Sequence, residues 1–246
     1  MKEYRADLHI HTVLSPCASL EMSPACIVEK AVEKEIDIIA ITDHNHTAHN
    51  RITRDLAVEK GLVVLYGTEI SSIEEIHCLS YFETEDQVRE IQSFIDDNIT
   101  RTRNIPAKLG YQPVINSEEM IEKYIEHSLY GSVQKSIEEI CSKVHRLGGL
   151  FVPAHVDRSS NSIYSQLGFF PEGLVPDAIE ISRRSDNESV LQGNPELSKY
   201  RVLNNSDAHY PDDIGSAYTT LRMEGTGLRE IKMALEGKER REVVAA

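Results

Sequence analysis

Six of the ten histidines in this chain stand where a short apolar run begins or ends: His9, His11, His44, His77, His155 and His209. Imidazoles and carboxylates gathered in this way are the donors that bind divalent transition metals. In Asp7-Leu8-His9-Ile10-His11 the two histidines are two residues apart. Strand side chains alternate faces, so both imidazoles point the same way and can share one cation. The fully apolar run Ile38-Ile39-Ala40-Ile41 ends abruptly in Thr42-Asp43-His44. Packing accounts for the run but not for its ending. His44 reads as a ligand, while Asp43 either accepts from an imidazole and so fixes its tautomer, or caps the next helix. Glu69, just past the strand ending at Tyr66, has two oxygens with which to bridge two cations, and His77 opens the following strand. His155 follows the run Leu150–Ala154, and Asp207-Ala208-His209 repeats the spacing of the first pair, with small Ser206 and Ala208 leaving room. Each element has an ordinary reading when taken singly; five of them at equivalent strand ends do not. Donors of this kind without paired thiolates suit Zn, Mn or Fe.

The other histidines lack that placement. His46 and His49 read as loop or helix-surface residues, and His127 and His145 fall in helical patterns away from strand ends. Two cationic positions are suited to phosphate: Arg158, directly after the His155 strand, and Arg183, beside Arg184 and just past an apolar run.

The elements that must position these residues alternate. Strands are expected at Ala6–Ile10, Ile36–Ile41, Leu62–Tyr66, His77–Phe82, Leu150–Ala154, Ala178–Ile181, Arg201–Asn204 and Ala217–Leu221. Helices are expected at Ser23–Glu35, Asn50–Glu59, Glu85–Thr102, Ser117–Glu126, Ser132–Leu147 and Gly227–Glu236. Strands and helices in this order predict βαβ units, a parallel sheet and enough strands to close a barrel, whose carboxyl end would hold the site. No composition break divides the chain, so one domain over 1–246 is expected, with a helix-rich insertion around 83–145. The tail Glu236–Ala246 is charged and reads as a fraying end with room for a short element.

The 246 residues carry 26 Lys+Arg against 40 Asp+Glu, a formal charge of −14. Non-specific nucleic-acid binding draws on basic residues, so no long nucleic acid is expected, and a small phosphorylated substrate fits better because bound cations would reverse the local field. There is no apolar run long enough for a membrane and no secretory leader, and the cysteines Cys17, Cys26, Cys78 and Cys141 form no CxxC pair. A cytoplasmic protein with reduced thiols and no membrane partner is expected; the oligomeric state is not legible.

At Asp7-Leu8-His9-Ile10-His11, Thr42-Asp43-His44, Gly67-Thr68-Glu69, His77, Pro153-Ala154-His155 and Ser206-Asp207-Ala208-His209 the chain resembles the PHP (polymerase and histidinol phosphatase) family. The resemblance implies an α/β fold, a distorted (β/α)7 TIM-like barrel, and two or three divalent ions (Zn, Mn or Fe) cleaving phosphoesters. It implies one ion among His9, His11, Glu69 and Asp207, a second shared by Glu69 with His77 and His155, and a third on His44 and His209. Family members usually place Asp or His a few residues after the paired histidines, where this chain has Cys17. A thiolate ligand, a water in its place and an ordinary loop residue are all open there.

The expected activity is a metal-dependent phosphoesterase that hydrolyses a small phosphomonoester or a nucleotide phosphate through metal-activated water, with Asp207 as catalytic residue and Arg158 and Arg183 on the substrate. A short-oligonucleotide exonuclease is among the activities that the resemblance covers. Two other classes compete. An amidohydrolase-type C–N hydrolase would prefer a lysine at the strand end where Glu69 stands, and a non-catalytic metal-binding regulatory module would have no need of the complete ligand set.

Overall fold

The computed structural model describes residues 1–245 of the chain. Its strands are β1 (Lys2–Ile10), β2 (Ile38–Ile41), β3 (Val63–Ser71), β4 (His77–Phe82), β5 (Pro113–Ile115), β6 (Ile121–Tyr124), β7 (Leu150–Pro153), β8 (Ile179–Glu180), β9 (Val202–Leu203), β10 (Thr219–Met223) and β11 (Glu242–Ala245). The helices are α1 (Pro24–Glu33), α2 (Ala48–Ala57), α3 (Glu85–Asn98), α4 (Pro106–Leu109), α5 (Ile137–Arg146), α6 (Ile163–Leu167), α7 (Asn187–Gly193) and α8 (Leu228–Glu236). Local chemistry sets several boundaries. Ser23 accepts from Cys26 N at the start of α1, which has Pro at its first turn, and capping boxes at Thr84/Gln87 and Ser136/Glu139 open α3 and α5.

Seven strands form one curled sheet in the order β11-β10-β1-β2-β3-β4-β7, giving the mixed α/β fold and distorted barrel expected of PHP proteins. The all-parallel pairing expected from the alternation is corrected: only β1-β2-β3 and the separate pair β8-β9 are parallel, and β4, β10 and their neighbours pair antiparallel. β3 and β4 are joined by a tight hairpin rather than a helix, which forces that reversal. Loop bonds complete the ring, with Asp177 N donating to Phe151 O (2.9 Å), Val156 N to Glu180 O (2.9 Å) and His11 N to Ala208 O (3.0 Å). Inside the curl Ala6, Leu8, Ile38, Ala40, Leu65, Leu79 and Val152 pack together, and Tyr81 reaches across to donate to Leu8 O. Outside it, α1 covers Ile39 and Ile41, while α3 and α5 cover Phe82 and Phe151.

Two features aim the site. The register of β1 on β2 shifts between Asp7 and Ile10, so Leu8 stays in the inner cluster while Ile10 packs outside with α1. That slip leaves His9 and His11 facing the open end, as bulges beside active sites commonly do. Asn50 on α2 both accepts from Gly67 N (2.6 Å) and donates to Gly67 O (2.8 Å). A side chain at Gly67 would come within 2.9 Å of Ile41 O, so only glycine allows β3 to run this close to β2. β3 therefore continues to Ser71, and Glu69 lies within it rather than past its end.

The expected helix Ser117–Glu126 is also corrected: these residues belong to the β5–β6 hairpin, whose turn is held by Asn116 Oδ1 accepting from Glu118 N and Met120 N. An Asn side chain bonded to nearby backbone competes with helix. No helix among the described residues is long and apolar enough to cross a membrane.

At the end of α5, His145 Nε2 lies 2.9 Å from Asp177 Oδ2, and Cys141 Sγ is also within reach. Those contacts push the His145 pKa up to about 10. A group raised in the folded state stabilises fully below its unfolded value, about 6.5, and that contribution disappears as pH rises through the folded value. Urea midpoints of the wild type should therefore fall between pH 7 and 10, and His145→Gln should flatten that part of the profile.

Candidate metal centre

Six strands or the turns after them deliver their donors to one volume. β1 supplies His9 and His11, the turn after β2 supplies His44, β3 Glu69, β4 His77, β7 His155 and the turn after β9 supplies Asp207 and His209. All eight expected ligands are brought together there, and five of them are buried: His9, His11, His44, Glu69 and His155; Asp207 is half-buried, with its side chain 9% exposed. His155 and Asp207 adopt left-handed backbone, with φ of 30° and 49°. Non-glycine residues in that region cost energy and persist where the side chain is needed.

Glu69 is the hub. Its oxygens lie 2.9 Å from His77 Nδ1, 3.0 Å from His44 Nδ1, 3.3 Å from His11 Nε2 and His155 Nε2, and 3.4 Å from His9 Nε2. Asp207 Oδ1 stands 3.3 Å from Nε2 of both His9 and His11. Burial opposes the charge of both carboxylates, but the surrounding imidazoles hold their pKa values well below the usual range. Burial likewise opposes protonation of His9, yet Glu180, Asp207 and Glu69 keep it well above the usual histidine value. For His77 burial wins, and its pKa falls to about 4.

The donors fit cations better than they fit one another. His9 Nε2 and His11 Nε2 face each other at 3.2 Å. Two ligands about 2.0–2.1 Å from a tetrahedral ion would be roughly that far apart. Glu69 Oε1, His44 Nδ1 and His155 Nδ1 are buried and make no well-directed hydrogen bond, even though the first two have close neighbours in the cluster, which is costly unless something else binds there. Three groups have donor atoms mutually within 4.8 Å: His9-His11-Glu69, His44-Glu69-His77 and His11-Cys17-His44-His209. The last includes the cysteine that departs from the family pattern. Cys17 Sγ is 3.1 Å from His209 Nε2. Its burial favours the thiol, but His44, His209 and His11 outweigh that and bring the pKa down to about 5, so the sulfur is available as a thiolate donor.

Glu180 is a site residue absent from the sequence-derived set. This buried acid in the β8 strand has both oxygens 3.1 Å from His9 Nδ1, accepts from His155 N (2.8 Å) and accepts from Asn205 Nδ2 (2.7 Å). It therefore turns His9 Nε2 toward the centre. Its signal is an acid inside the apolar run Ala178–Ile181. Asp43 fills neither role expected of it. It accepts from Thr12 N, Thr12 Oγ1 and Ser15 Oγ, and Ser15 Oγ lies 3.0 Å from His11 Nδ1, so it acts on His11 through Ser15. The loop or surface reading of His49 is corrected: it is fully buried, bridging Thr12 Oγ1 (2.6 Å) and Ile115 N (3.0 Å) because the hairpin covers α2. Arg158 pairs with Asp207 at the centre, whereas Arg183 is engaged by Asp213 (2.8 Å) and Ser216.

A family model described as the PHP domain matches residues 7–161. An uncharacterized protein of Bacillus subtilis (strain 168), YqxK, is 24% identical across 100% of this chain and 65% of its own length. The 5'-3' exoribonuclease Rnm of Escherichia coli (strain K12) is 37% identical over 73 residues, 29% of this chain and 24% of that protein. Among solved structures, the lesion-specific endonuclease PfuEndoQ of Pyrococcus furiosus superposes with a TM-score of 0.75 at 20% identity, over 98% of this chain and 58% of that one. A structure of Endonuclease Q with a 27-mer duplex carrying an abasic lesion at the active site gives 0.74, at the same identity and coverage. The chain thus spans less than two thirds of the length of these relatives. The likeness overturns the expectation of no long nucleic acid, because a protein whose fold matches nearly the whole chain is seen on duplex DNA. Net charge was the wrong quantity: phosphates respond to the local field, which bound cations and a few arginines set.

Two outcomes follow from this geometry. Glu180→Ala should weaken metal affinity about 10- to 100-fold, the usual effect of losing a carboxylate that orients a ligand, as read by chelator competition. Co(II)-substituted protein should show a thiolate charge-transfer band that Cys17→Ser abolishes; an unchanged spectrum would make Cys17 a loop residue only.

Proposed function

Because the chain belongs to the PHP domain family, which comprises metal-dependent hydrolases, we propose that it hydrolyses phosphodiester bonds in nucleic acid at this centre. The observation that carries the proposal is the convergence of six imidazoles on Glu69 and Asp207, with Arg158 against Asp207. Likeness to an endonuclease over nearly the whole chain, and to an exoribonuclease over a shorter stretch, supports nucleic acid as the substrate class.

His9, His11, Glu69 and Asp207 would hold one ion, Glu69 with His77 and His155 a second, and His44, His209 and Cys17 a third. Ions held there make a water nucleophilic near neutral pH and offset charge on the phosphoryl oxygens. The chain's own groups do the rest. Asp207, kept ionised by His9 and His11, accepts a hydrogen bond from the attacking water and so orients it. Arg158 holds Asp207 in the resting site and is placed to donate to a non-bridging phosphate oxygen once substrate arrives. Glu180 and the Asp43–Ser15 pair keep the His9 and His11 rings from turning away. Arg183, bound to Asp213 and Ser216, would reach substrate only by releasing those partners.

The test is a panel of single-stranded and duplex DNA and RNA, bis(p-nitrophenyl) phosphate and amide substrates, assayed with Mn, Zn and Fe after chelator stripping. Cleavage of nucleic acid in a metal-restored manner is expected; turnover of amides with no phosphate ester cleaved would overturn the proposal. Asp207→Ala should abolish cleavage in the metal-saturated protein. Arg158→Ala should lower kcat/KM roughly ten- to hundred-fold, the worth of a charge-assisted hydrogen bond.

A further inference from the structure

Away from the metal centre, the segment between α3 and α5 encloses a cavity of about 710 Å3 lined by Arg101, Arg103, Asn104, Tyr111, Tyr124 and His127, among others. Its composition is unlike the acidic remainder of the molecule, with two guanidiniums and an imidazole against the single carboxylate of Glu126. Tyr111 and Tyr124 are each about half exposed, at 52% and 51%, and their ring centroids stand 6.3 Å apart at 50°. That is a large aromatic surface left open to solvent on two neighbouring rings.

Asn104 forms part of the cavity wall. Its side-chain amide donates to Gly110 O (3.0 Å), which fixes its orientation, and its Oδ1 is buried with no partner, in a residue only 8% exposed. That oxygen is closed off from solvent, so Asn104 shapes the cavity wall rather than offering an acceptor to it. The walls are held firmly. Asn104 N donates to Glu126 O (2.8 Å), and Gln112 Nε2 donates to Ile125 O and His127 O. Three residues beyond His127, the Tyr130 ring sits 5.8 Å from the ring of His44. Three residues of chain span at most about 10 Å, so a short stretch of chain joins the His127 wall of the cavity to the metal centre. Gly110 reinforces this link: a side chain there would collide with the backbone of Pro16, next to Cys17.

We propose that this cavity receives a nucleobase of the nucleic-acid strand whose backbone lies at the metal centre. The base stacks on the open face of one of the two tyrosines, and Arg101 and Arg103 meet the adjoining phosphates. Open aromatic faces flanked by arginines are the common means of holding single-stranded nucleic acid. The inference rests on the nucleic-acid reading above and adds a site for the base to a centre that handles only the phosphate.

The test uses the metal-loaded full chain and fluorescence anisotropy of short single-stranded oligonucleotides with hydrolysis-resistant phosphorothioate linkages, so that binding is read without cleavage. At least one of Tyr111→Ala and Tyr124→Ala should weaken binding roughly five- to hundred-fold, the worth of one lost stack. Both positions are half exposed, so both variants should fold and take up metal as the wild type does. A strand of the same length made of abasic nucleotides should bind wild type and variants alike. If the variants hold the base-bearing strand as tightly as wild type, the cavity is not a base site and the nucleic-acid reading stands. Equal losses on the abasic strand would also overturn base stacking. A wild type that binds no oligonucleotide would remove the nucleic-acid reading and the cavity's role together.

Discussion

Glu69 places a carboxylate with 1% exposure inside a strand, among imidazoles from four other strand ends. Burying such a charge is costly unless it is paired. Asp207 and Glu180 add two more acids within a few ångströms of the same rings. Without cations, compensation for Glu69 comes from protonation of histidines that burial would otherwise keep neutral, and the raised values of His9 and His44 are the sign of that. Divalent ions relieve the conflict directly, since they satisfy the carboxylates and the imidazole lone pairs together.

Much of the surrounding architecture serves that arrangement. The register slip in β1, the Asn50 clamp on Gly67 and the left-handed backbone at His155 and Asp207 are each locally unfavourable or unusual. Each becomes intelligible as the means of turning a donor inward. Glu180, Ser15 and Asp43 then hold the rings in place, so the centre is rigid before any substrate arrives. The segment between α3 and α5 has a different task. It closes over α2 through His49, reaches the metal centre with Tyr130, and leaves its own aromatic cavity open.

The ligand positions are legible in the sequence because metal chemistry restricts residue type as well as spacing. Packing alone gives no reason for a histidine to end an apolar run, and the same ending on several runs points to one shared cation site. Strand direction is not legible, because an apolar run reads the same whichever way its neighbour points, and the short β3–β4 connection decides it. Ser117–Glu126 has helix-forming composition, but Asn116 bonds to its own turn and makes a hairpin instead. Glu180 reads as no more than one acid in an apolar strand, and His49 is obscure because its partners, Thr12 and Ile115, lie 37 and 66 residues away. The nucleic-acid expectation fails because a sum of charges discards their positions. Arg101, Arg103 and Arg158 count for little in a total of −14 yet are placed at the cavity and the metal centre.

Metal stoichiometry tests the central claim most directly. The full chain, reloaded with Zn, Mn or Fe and analysed by elemental mass spectrometry beside Glu69→Gln, should carry two or three ions, in keeping with its three donor groups, and the variant clearly fewer. A wild type that retains no ion, or a Glu69→Gln protein that keeps the full complement, would contradict the account.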